Sequence, residues 1–205
     1  MRYMLQIDHI SKAFDGHPVL TDVTFGVERG EAVGLLGANG AGKTTLLRII
    51  TRLLEPDSGE VRFDGHPIVH DDLNHIGYLP EERGLYRHMA AGEQALYLAR
   101  LKGMSRSDAE ATLHEWFTRL GMDEWWKRPV KHLSKGMQQR LQFVVTVAHR
   151  PSLVILDEPF TGFDSAGAAM LRTEIQRLQA DGTAILLSTH NLQAADELCT
   201  KTIQL

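Results

Sequence analysis

The chain has 205 residues, of which 43% are hydrophobic and 23% charged, and its formal net charge at pH 7 is −4. This length fits one domain with a sizeable core, and the composition is typical of a globular protein. The acidic balance argues against a protein that coats nucleic acid, so we expect no nucleic-acid partner. No stretch approaches the ~18 consecutive apolar residues of a membrane span, and the N-terminus lacks the apolar core of a signal peptide.

The single cysteine, Cys199, excludes an intrachain disulfide and favours a reducing compartment. We interpret it as a small packing residue and not as a reactive thiol. Together these features predict a cytoplasmic protein, any membrane role of which comes through a partner.

In chain order, residues 4–10 and 20–27 alternate apolar and polar side chains, which predicts an antiparallel β portion. A buried-type strand at 31–36 runs into a glycine-rich loop, and an amphipathic helix at 45–54 runs out of it. Residues 60–68 have the pattern of a hairpin, and residues 76–79 that of a short strand ending before Pro80.

From residue 89 to residue 150 the pattern becomes almost wholly helical, with helices at 91–101, 107–120 and from 133 onward. Ser107 is a suitable N-cap for the second of these helices. We interpret Trp116 as helix packing, and Trp125-Trp126 as the anchor of a turn before Pro129 and not as a ligand site.

The last third alternates strands at 153–156, 184–188 and 202–205 with helices at 166–180 and 192–198, which predicts a parallel sheet covered on both faces. The predicted fold class is α/β. We expect a single domain over residues 1–205, in which 1–88 and 150–205 form an α/β core with an antiparallel β portion. Residues 89–149 form an inserted helical subdomain.

The glycine-rich loop matches the phosphate-binding pattern G-x-x-x-x-G-K-[S/T] between a strand and a helix. Glycines let backbone N–H groups wrap around a polyphosphate, and the positive end of the helix dipole favours the same anion. Lys43 can then reach the β- and γ-phosphates, and the Thr44 hydroxyl can ligate Mg²⁺. The predicted nucleotide-binding residues in this loop are Asn39, Gly40, Ala41, Gly42, Lys43, Thr44 and Thr45.

Two carboxylates end the apolar strand at 153–156. Asp157 is placed to hold Mg²⁺, and Glu158 to polarise an attacking water as a general base. His190 ends the next strand, and the carboxyl ends of parallel strands line one crevice, where this side chain can donate to a γ-phosphate oxygen or orient water. We therefore predict Glu158, His190 and Lys43 as the catalytic residues.

At Leu133-Ser134-Lys135-Gly136-Met137 the chain resembles the nucleotide-binding subunit of ABC transporters, and the resemblance covers essentially the whole sequence. The segment is similar to the family's signature motif Leu-Ser-Gly-Gly-Gln, with Lys135 and Met137 in place of Gly and Gln. The resemblance implies a P-loop NTPase (RecA-like) core that binds ATP and Mg²⁺. It also implies that Ser134, Lys135, Gly136 and Met137 cover the γ-phosphate of ATP bound to the opposite subunit; from the residues alone Ser134 is a helix N-cap.

The same resemblance assigns four further residues. Phe14 corresponds to the aromatic that stacks on adenine, with Val19 beside it, although the residues alone place both in the core. Asp164 belongs to the D-loop, which touches the partner's site. Glu81, in the Q-loop stretch 78–86, stands where the family usually has Gln; it can offer oxygen to Mg²⁺, but it adds negative charge near phosphate.

Residues 78–86 and 133–137 together resemble the branch that includes sodium-extrusion and antibiotic-export ATPases. The implied function is an ATP-hydrolysing subunit that powers export by a separate permease through ATP-driven head-to-tail dimerisation, on the cytoplasmic face of the cell membrane. The implied partners are a second ATPase subunit, in a homodimer, and transmembrane permease subunits. The permease would contact the region from Glu81 to Leu101 through a helix laid in a groove.

Other readings stay open. A soluble ABC protein of translation or DNA repair normally carries two cassettes or a long coiled-coil insertion, and this sequence has one cassette. A regulator that binds nucleotide without turnover is compatible with Glu81 and Met137. Most relatives continue beyond the position of Leu205, so the sequence fits either a naturally short subunit of the haem-exporter type or a trimmed domain.

Overall fold

The structure, a computed structural model, describes residues 3–82 and 84–205; Arg83, in the predicted Q-loop, lies outside the described residues. The strands are β1 (Tyr3–Phe14), β2 (His17–Glu28), β3 (Ala32–Leu36), β4 (Ser58–Phe63), β5 (His66–Pro67), β6 (Ile76–Leu79), β7 (Leu153–Asp157), β8 (Ala184–Thr189) and β9 (Lys201–Gln204). The α-helices are α1 (Lys43–Ile50), α2 (Ala91–Leu101), α3 (Arg106–Arg119), α4 (Lys135–Val147), α5 (Ser165–Ala180) and α6 (Leu192–Leu198).

Five strands form the predicted parallel sheet, in the order β6-β7-β8-β3-β9. Successive side chains of a strand point to opposite faces, and both faces of this sheet are buried. On β7, Leu153 and Ile155 join a core cluster with the first half of the chain, whereas Val154 and Leu156 join a second cluster with the helices. The prediction of a parallel sheet covered on both faces is confirmed.

A second sheet is antiparallel, with strand order β2-β1-β4-β5, and confirms the predicted β portion at the start of the chain. Strands β1 and β2 are both 12 residues long and exceed their predicted bounds. The predicted strands were too short because the pairing of β1 with β2 contains register irregularities. These irregularities break the strict alternation of apolar and polar residues on which the prediction relied. The pairing nevertheless continues to Phe14 and His17 at the hairpin end.

Four predicted helix starts differ from the structure by one or two residues, and two of the differences have a local cause. Helix α1 begins at Lys43 and not at residue 45, because Gly42 takes a positive φ of 96° and starts the helix directly after it. Helix α3 is capped by Ser105, whose Oγ accepts the backbone N–H of Asp108 at 3.1 Å, so the prediction of Ser107 as N-cap was wrong. Both serines precede the same apolar pattern, and periodicity alone could not separate them.

Between α3 and α4 the chain forms two short 3₁₀ turns, Asp123–Trp125 and Val130–His132. Trp116 is buried edge-on against Phe143, and Trp126 stacks on His114 with 4.1 Å between ring centroids. These contacts agree with the packing roles predicted for the tryptophans. Cys199 is partly buried, and burial raises the pKa of its thiol to about 12, as expected of a packing residue.

Within residues 3–82 and 84–205, none of the helices combines the length and the apolar character that a bilayer crossing requires.

Candidate nucleotide site

The phosphate-binding loop follows the carboxyl end of β3, which lies between β8 and β9 in the parallel sheet. Gly40 and Gly42 adopt positive φ angles of 86° and 96°, which an L side chain rarely tolerates. A Cβ at Gly42 would also lie 2.9 Å from the carbonyl oxygen of Val19. The loop thus needs glycine at this position both for its backbone conformation and for its close approach to the start of β2.

Lys43 is the first residue of α1 and its side chain folds back over the loop. It is only 7% exposed, and its Nζ donates to the carbonyl oxygens of Gly37 and Ala38 at 2.6 and 3.1 Å. The Lys43 ammonium group thus lies at the N-terminus of α1, where the helix dipole also favours an anion.

Asp157 ends β7 next to the loop, as predicted. The hydroxyl of Thr44 donates to its Oδ2 at 3.3 Å, so the first turn of α1 and the end of β7 are in direct contact. Asp157 is 1% exposed, and burial raises the pKa of its carboxyl, with the charges of Glu81 and Glu158 acting in the same direction. A buried carboxyl in this condition gains stability from a cation beside it.

Glu158 lies one residue further and has a positive φ of 48°. Its backbone N–H donates to the carbonyl oxygen of Ser188 at 2.9 Å, which ties it to the end of β8. Its carboxylate accepts the Thr189 hydroxyl at 3.1 Å and the backbone N–H of His190 at 2.9 Å, while Nδ1 of His190 lies 2.7 Å from Oε1. The β7–β8 register, in which Asp157 faces Ser188, brings these groups together.

A cavity of about 390 Å³ opens in front of these groups. Its lining contains most of the residues predicted for the nucleotide, namely Val19, Asn39, Gly40, Gly42, Lys43, Thr44, Thr45, Glu81, Asp157 and Glu158. Of the remaining predicted residues, Ala41 and Phe14 lie outside this lining, and His190 is connected to it through Glu158. The volume falls within the range of small-molecule sites.

The interpretation of Phe14 as a core residue was wrong, because its side chain stands at the end of the β1–β2 hairpin and the residue is 44% exposed. The ammonium of Lys12 lies 5.7 Å from its ring centroid. Val19 is partly buried against the core formed by the antiparallel sheet and α1, as the residues alone suggested, and it also lines the cavity.

The predicted signature residues form a separate site at the start of α4. Ser134 is the N-cap, and its Oγ accepts the backbone N–H of Met137 at 3.2 Å. Ser134, Gly136 and Met137 line a second cavity of about 290 Å³ together with Trp125, Arg140, Gly162, Phe163 and Asp164. Lys135 is exposed beside it. Among the described residues, the linings of the two cavities have none in common.

Two residues that the sequence analysis did not single out hold parts of these sites in place. Thr189 holds the Glu158 carboxylate, and only its position at the end of an apolar strand could have indicated this. Gln142, in the middle of α4 and 4% exposed, donates from Nε2 to the carbonyl oxygens of Pro80 and Glu82 at 3.1 and 3.3 Å. A polar residue on the buried face of a helix was the available signal.

Taken together, a strand–glycine loop–helix unit, a buried Lys43 and a carboxylate at the end of another strand of the same sheet define a P-loop nucleotide-binding protein.

Comparison with known proteins narrows this class. Residues 20–161 match the ABC transporter family. The chain is 42% identical over 196 residues to the uncharacterised ABC transporter ATP-binding protein YhaQ of Bacillus subtilis, covering 96% of this chain and 66% of the relative. It is 38% identical to the ABC transporter ATP-binding protein NatA of the same organism, covering 90% of this chain and 76% of the relative. The lantibiotic transport ATP-binding protein SrtF of Streptococcus pyogenes is 34% identical, covering 95% of this chain and 83% of the relative.

Among solved structures, the ATP-binding subunit of an ABC transporter superposes with a TM-score of 0.91 at 33% identity, covering 98% of this chain and 85% of that chain. The chain belongs to the ABC transporter family, whose ATP-binding subunits hydrolyse ATP, and its resemblance to that family is confirmed. It spans 66% of the length of YhaQ and 62% of the length of another relative, an uncharacterised ABC transporter ATP-binding protein of Alkalihalophilus pseudofirmus.

Proposed function

We propose that this chain binds and hydrolyses ATP as the motor subunit of an ABC transporter that exports its substrate through a separate membrane permease. The observation that carries the proposal is the convergence of Lys43, Thr44, Asp157 and Glu158 on one cavity. We further propose that residues 1–205 act as a single ABC ATPase domain, with residues 89–149 as its helical subdomain.

The donor set fits Mg²⁺. Hard oxygen ligands suit this cation, and the cavity offers the Thr44 hydroxyl, the Asp157 carboxylate 3.3 Å from it, and Glu81. Among the described residues no group of three or more His, Cys, Asp and Glu side chains forms a metal cage. A magnesium ion here would therefore complete its shell with phosphate oxygens and water, and its chemistry would be to neutralise charge on the phosphates.

For the hydrolytic step we assign Glu158 as the general base that accepts a proton from the attacking water. The Thr189 hydroxyl and the His190 backbone N–H fix its carboxylate. We assign the His190 imidazole a role in orienting Glu158 and the γ-phosphate, since its Nδ1 is 2.7 Å from Oε1 and the side chain is 61% exposed toward solvent. Lys43 and the loop N–H groups bind the β- and γ-phosphates.

We propose that a second copy of the chain completes each site. Ser134, Gly136, Met137 and Asp164 line a cavity distinct from the P-loop cavity, so one copy does not bring its own signature to its own nucleotide. In a head-to-tail homodimer the N-terminus of α4 would face the γ-phosphate of the ATP bound by the other copy. ATP then favours the closed dimer because ADP lacks the phosphate that makes these contacts. We assign Phe14 to stacking on adenine, a contact that its exposed ring at the end of the β1–β2 hairpin permits.

The region from Glu81 to Leu101 is our candidate for contact with the permease. Tyr86, Tyr97 and Leu101 expose 53, 45 and 61% of their surface, and the two tyrosine rings pack edge-on with 6.3 Å between centroids. Exposed aromatic groups suit a helix laid in a groove. The chain would thereby be held on the cytoplasmic face of the membrane. The relative SrtF, which is named for lantibiotic transport, supports a role in transport.

The proposal is tested by phosphate release from ATP. Purified chain should release phosphate in the presence of Mg²⁺, and Glu158→Gln should reduce the rate to background while ATP binding persists. A wild-type chain that binds ATP without turnover would overturn the assignment as a motor and favour a nucleotide-binding regulator.

A further inference from the structure

The first turn of α4 is closed by a methionine sulfur. Ser134 Oγ accepts the backbone N–H of Met137 at 3.2 Å, and the backbone N–H of Ser134 donates in return to Met137 Sδ at 3.4 Å. This is the reciprocal pattern of a capping box, in which a Glu or Gln oxygen usually accepts the second bond. A thioether sulfur is a weak acceptor, so this cap depends on the chemical state of one atom.

Met137 is also open to small reagents. It is partly buried and lines the 290 Å³ signature cavity beside Ser134 and Gly136. The Ser134 N–H engages one of the two lone pairs of its sulfur, and the other is left to react. Met4 and Met122, by contrast, are 1 and 0% exposed in the core.

We propose that Met137 is a site of reversible oxidation by hydroperoxides, through which the signature half of the ATP site responds to oxidant; this rests on the proposed function. The sulfur lone pair attacks one peroxide oxygen, a sulfur–oxygen bond forms and the O–O bond breaks. Sulfur gives up two electrons, and the departing hydroxide or alkoxide takes the proton of the transferred oxygen and leaves as water or as an alcohol. Methionine sulfoxide reductases reverse the step with electrons from thiols.

Oxidation replaces a weak acceptor by a strong one that carries negative charge on oxygen. If this oxygen accepts the Ser134 N–H in place of the sulfur, the acceptor lies one bond further out along the side chain. The capping residue Ser134 must then shift relative to Met137. If it turns into the cavity, it faces the place proposed for the γ-phosphate of the partner's ATP. Both outcomes oppose closure of the dimer, so oxidised protein should hydrolyse ATP more slowly.

The test treats the full chain with hydrogen peroxide, maps sulfoxides by peptide mass spectrometry, and follows each methionine by methyl-¹³C NMR. We expect Met137 to be oxidised faster than Met104, a partly buried methionine packed on the same core. The ratio of treated to untreated phosphate release should fall several-fold in the wild type and in the matched control Met104→Leu. It should stay near one in Met137→Leu, whatever that variant's basal rate.

Two further arms separate the sources of any loss. Activity should return with methionine sulfoxide reductase and dithiothreitol but not with dithiothreitol alone, which distinguishes Met137 from oxidation at Cys199. Glu158→Gln with ATP should slow Met137 oxidation, because a closed dimer covers the cavity.

Oxidation of Met137 no faster than that of Met104, or an unchanged ratio after Met137 has been oxidised, would overturn the inference. A wild-type chain that never hydrolyses ATP would instead count against the proposed function. The relative rates of oxidation of Met137 and Met104 would still test the inference about Met137.

Discussion

Nδ1 of the His190 imidazole lies 2.7 Å from Oε1 of Glu158, and the backbone N–H of His190 donates to the same oxygen at 2.9 Å. One residue at the end of β8 thus contacts the proposed base twice, through its backbone and through its ring. The backbone contact is independent of the side chain, so substitution of His190 removes one of the two and leaves the other.

For His190→Ala we therefore expect a fall in kcat of about 10- to 100-fold, smaller than the loss of a general base itself. ATP affinity should change little, because the ring is mostly exposed and lies outside the cavity lining. Steady-state phosphate release separates kcat from KM. His70→Ala, an exposed histidine outside the lining of this cavity, is the matched control. A large rise in KM with kcat intact would make His190 a binding residue.

Glu158→Gln should lower hydrolysis by at least ~100-fold, since the amide cannot accept the proton of the attacking water. The amide oxygen can still accept the Thr189 hydroxyl, so the fold of the site should persist. ATP should then hold the variant as a dimer, which light scattering coupled to size exclusion measures. Glu115→Gln, an exposed glutamate on α3, should behave as wild type. A Glu158→Gln chain that remains monomeric with ATP would contradict the head-to-tail site.

Lys43→Ala should weaken ATP binding by at least ~10-fold, or about 1.4 kcal/mol. The substitution removes the cation assigned to the phosphates and also the two bonds from Nζ to the loop carbonyls. Titration calorimetry with ATP and Mg²⁺ gives the affinity directly, with Lys127→Ala as a control because that lysine is exposed and lines neither cavity. Equal affinities for wild type and Lys43→Ala would remove Lys43 from the phosphate site.

Glu81→Gln should make ATP binding less dependent on Mg²⁺. Glu81 shares the cavity with Asp157 and raises the pKa of that carboxyl, so it adds negative charge where phosphates are proposed to bind. Removal of this charge should tighten binding in EDTA by about 1 kcal/mol, close to fivefold, and change binding less when Mg²⁺ is present. Paired titrations with and without Mg²⁺ check this. An equal change under both conditions would show that Glu81 does not act through charge.

Stability should fall as the pH drops below neutrality. Burial lowers the pKa of His149 to about 4, with the charges of Lys102 and His75 adding to the effect. The unfolded chain binds this proton near pH 6.5 and the folded chain does not, so the stability contributed by neutral His149 is present above pH 6.5 and is lost on descent toward pH 4. The loss amounts to at most ~3 kcal/mol.

Urea unfolding at pH 7 and pH 5 measures this difference, and His149→Gln should reduce it because glutamine does not titrate. His70 is an exposed histidine that lines the same cavity as His149. His70→Gln should leave the difference as it is in wild type. An identical pH dependence in all three proteins would assign the effect to other groups.

The sequence predicted the parallel sheet, the antiparallel portion and the phosphate loop because each depends on local patterns. The strand runs at 31–36 and 153–156 are apolar apart from Glu31 and Gly34, and the loop between Gly37 and Thr44 has a fixed spacing. The exposure of Phe14 was missed, since an aromatic residue at the end of a strand has the same local pattern whether it packs inward or stands on a hairpin. Such a choice is made by tertiary contacts.

The partners of Glu158 were predicted in part. His190 could be placed near it from the strand order, but Thr189 could not, because its hydroxyl points to Glu158 only through the β7–β8 register. Gln142 was missed for a similar reason. Its bonds reach 60 or more residues back along the chain, to Pro80 and Glu82, and no local pattern reports such a distance.

The Gln142 side chain has a mechanical consequence. From the middle of α4 it donates hydrogen bonds to the backbone on either side of Glu81. Ser134 caps the same helix eight residues, or about 12 Å, away. A helix of this length is stiff, so we expect a displacement of the segment after β6 to move Ser134 as well. The surface that we propose for the permease and the serine that we propose for the partner's ATP are thus joined by one helix.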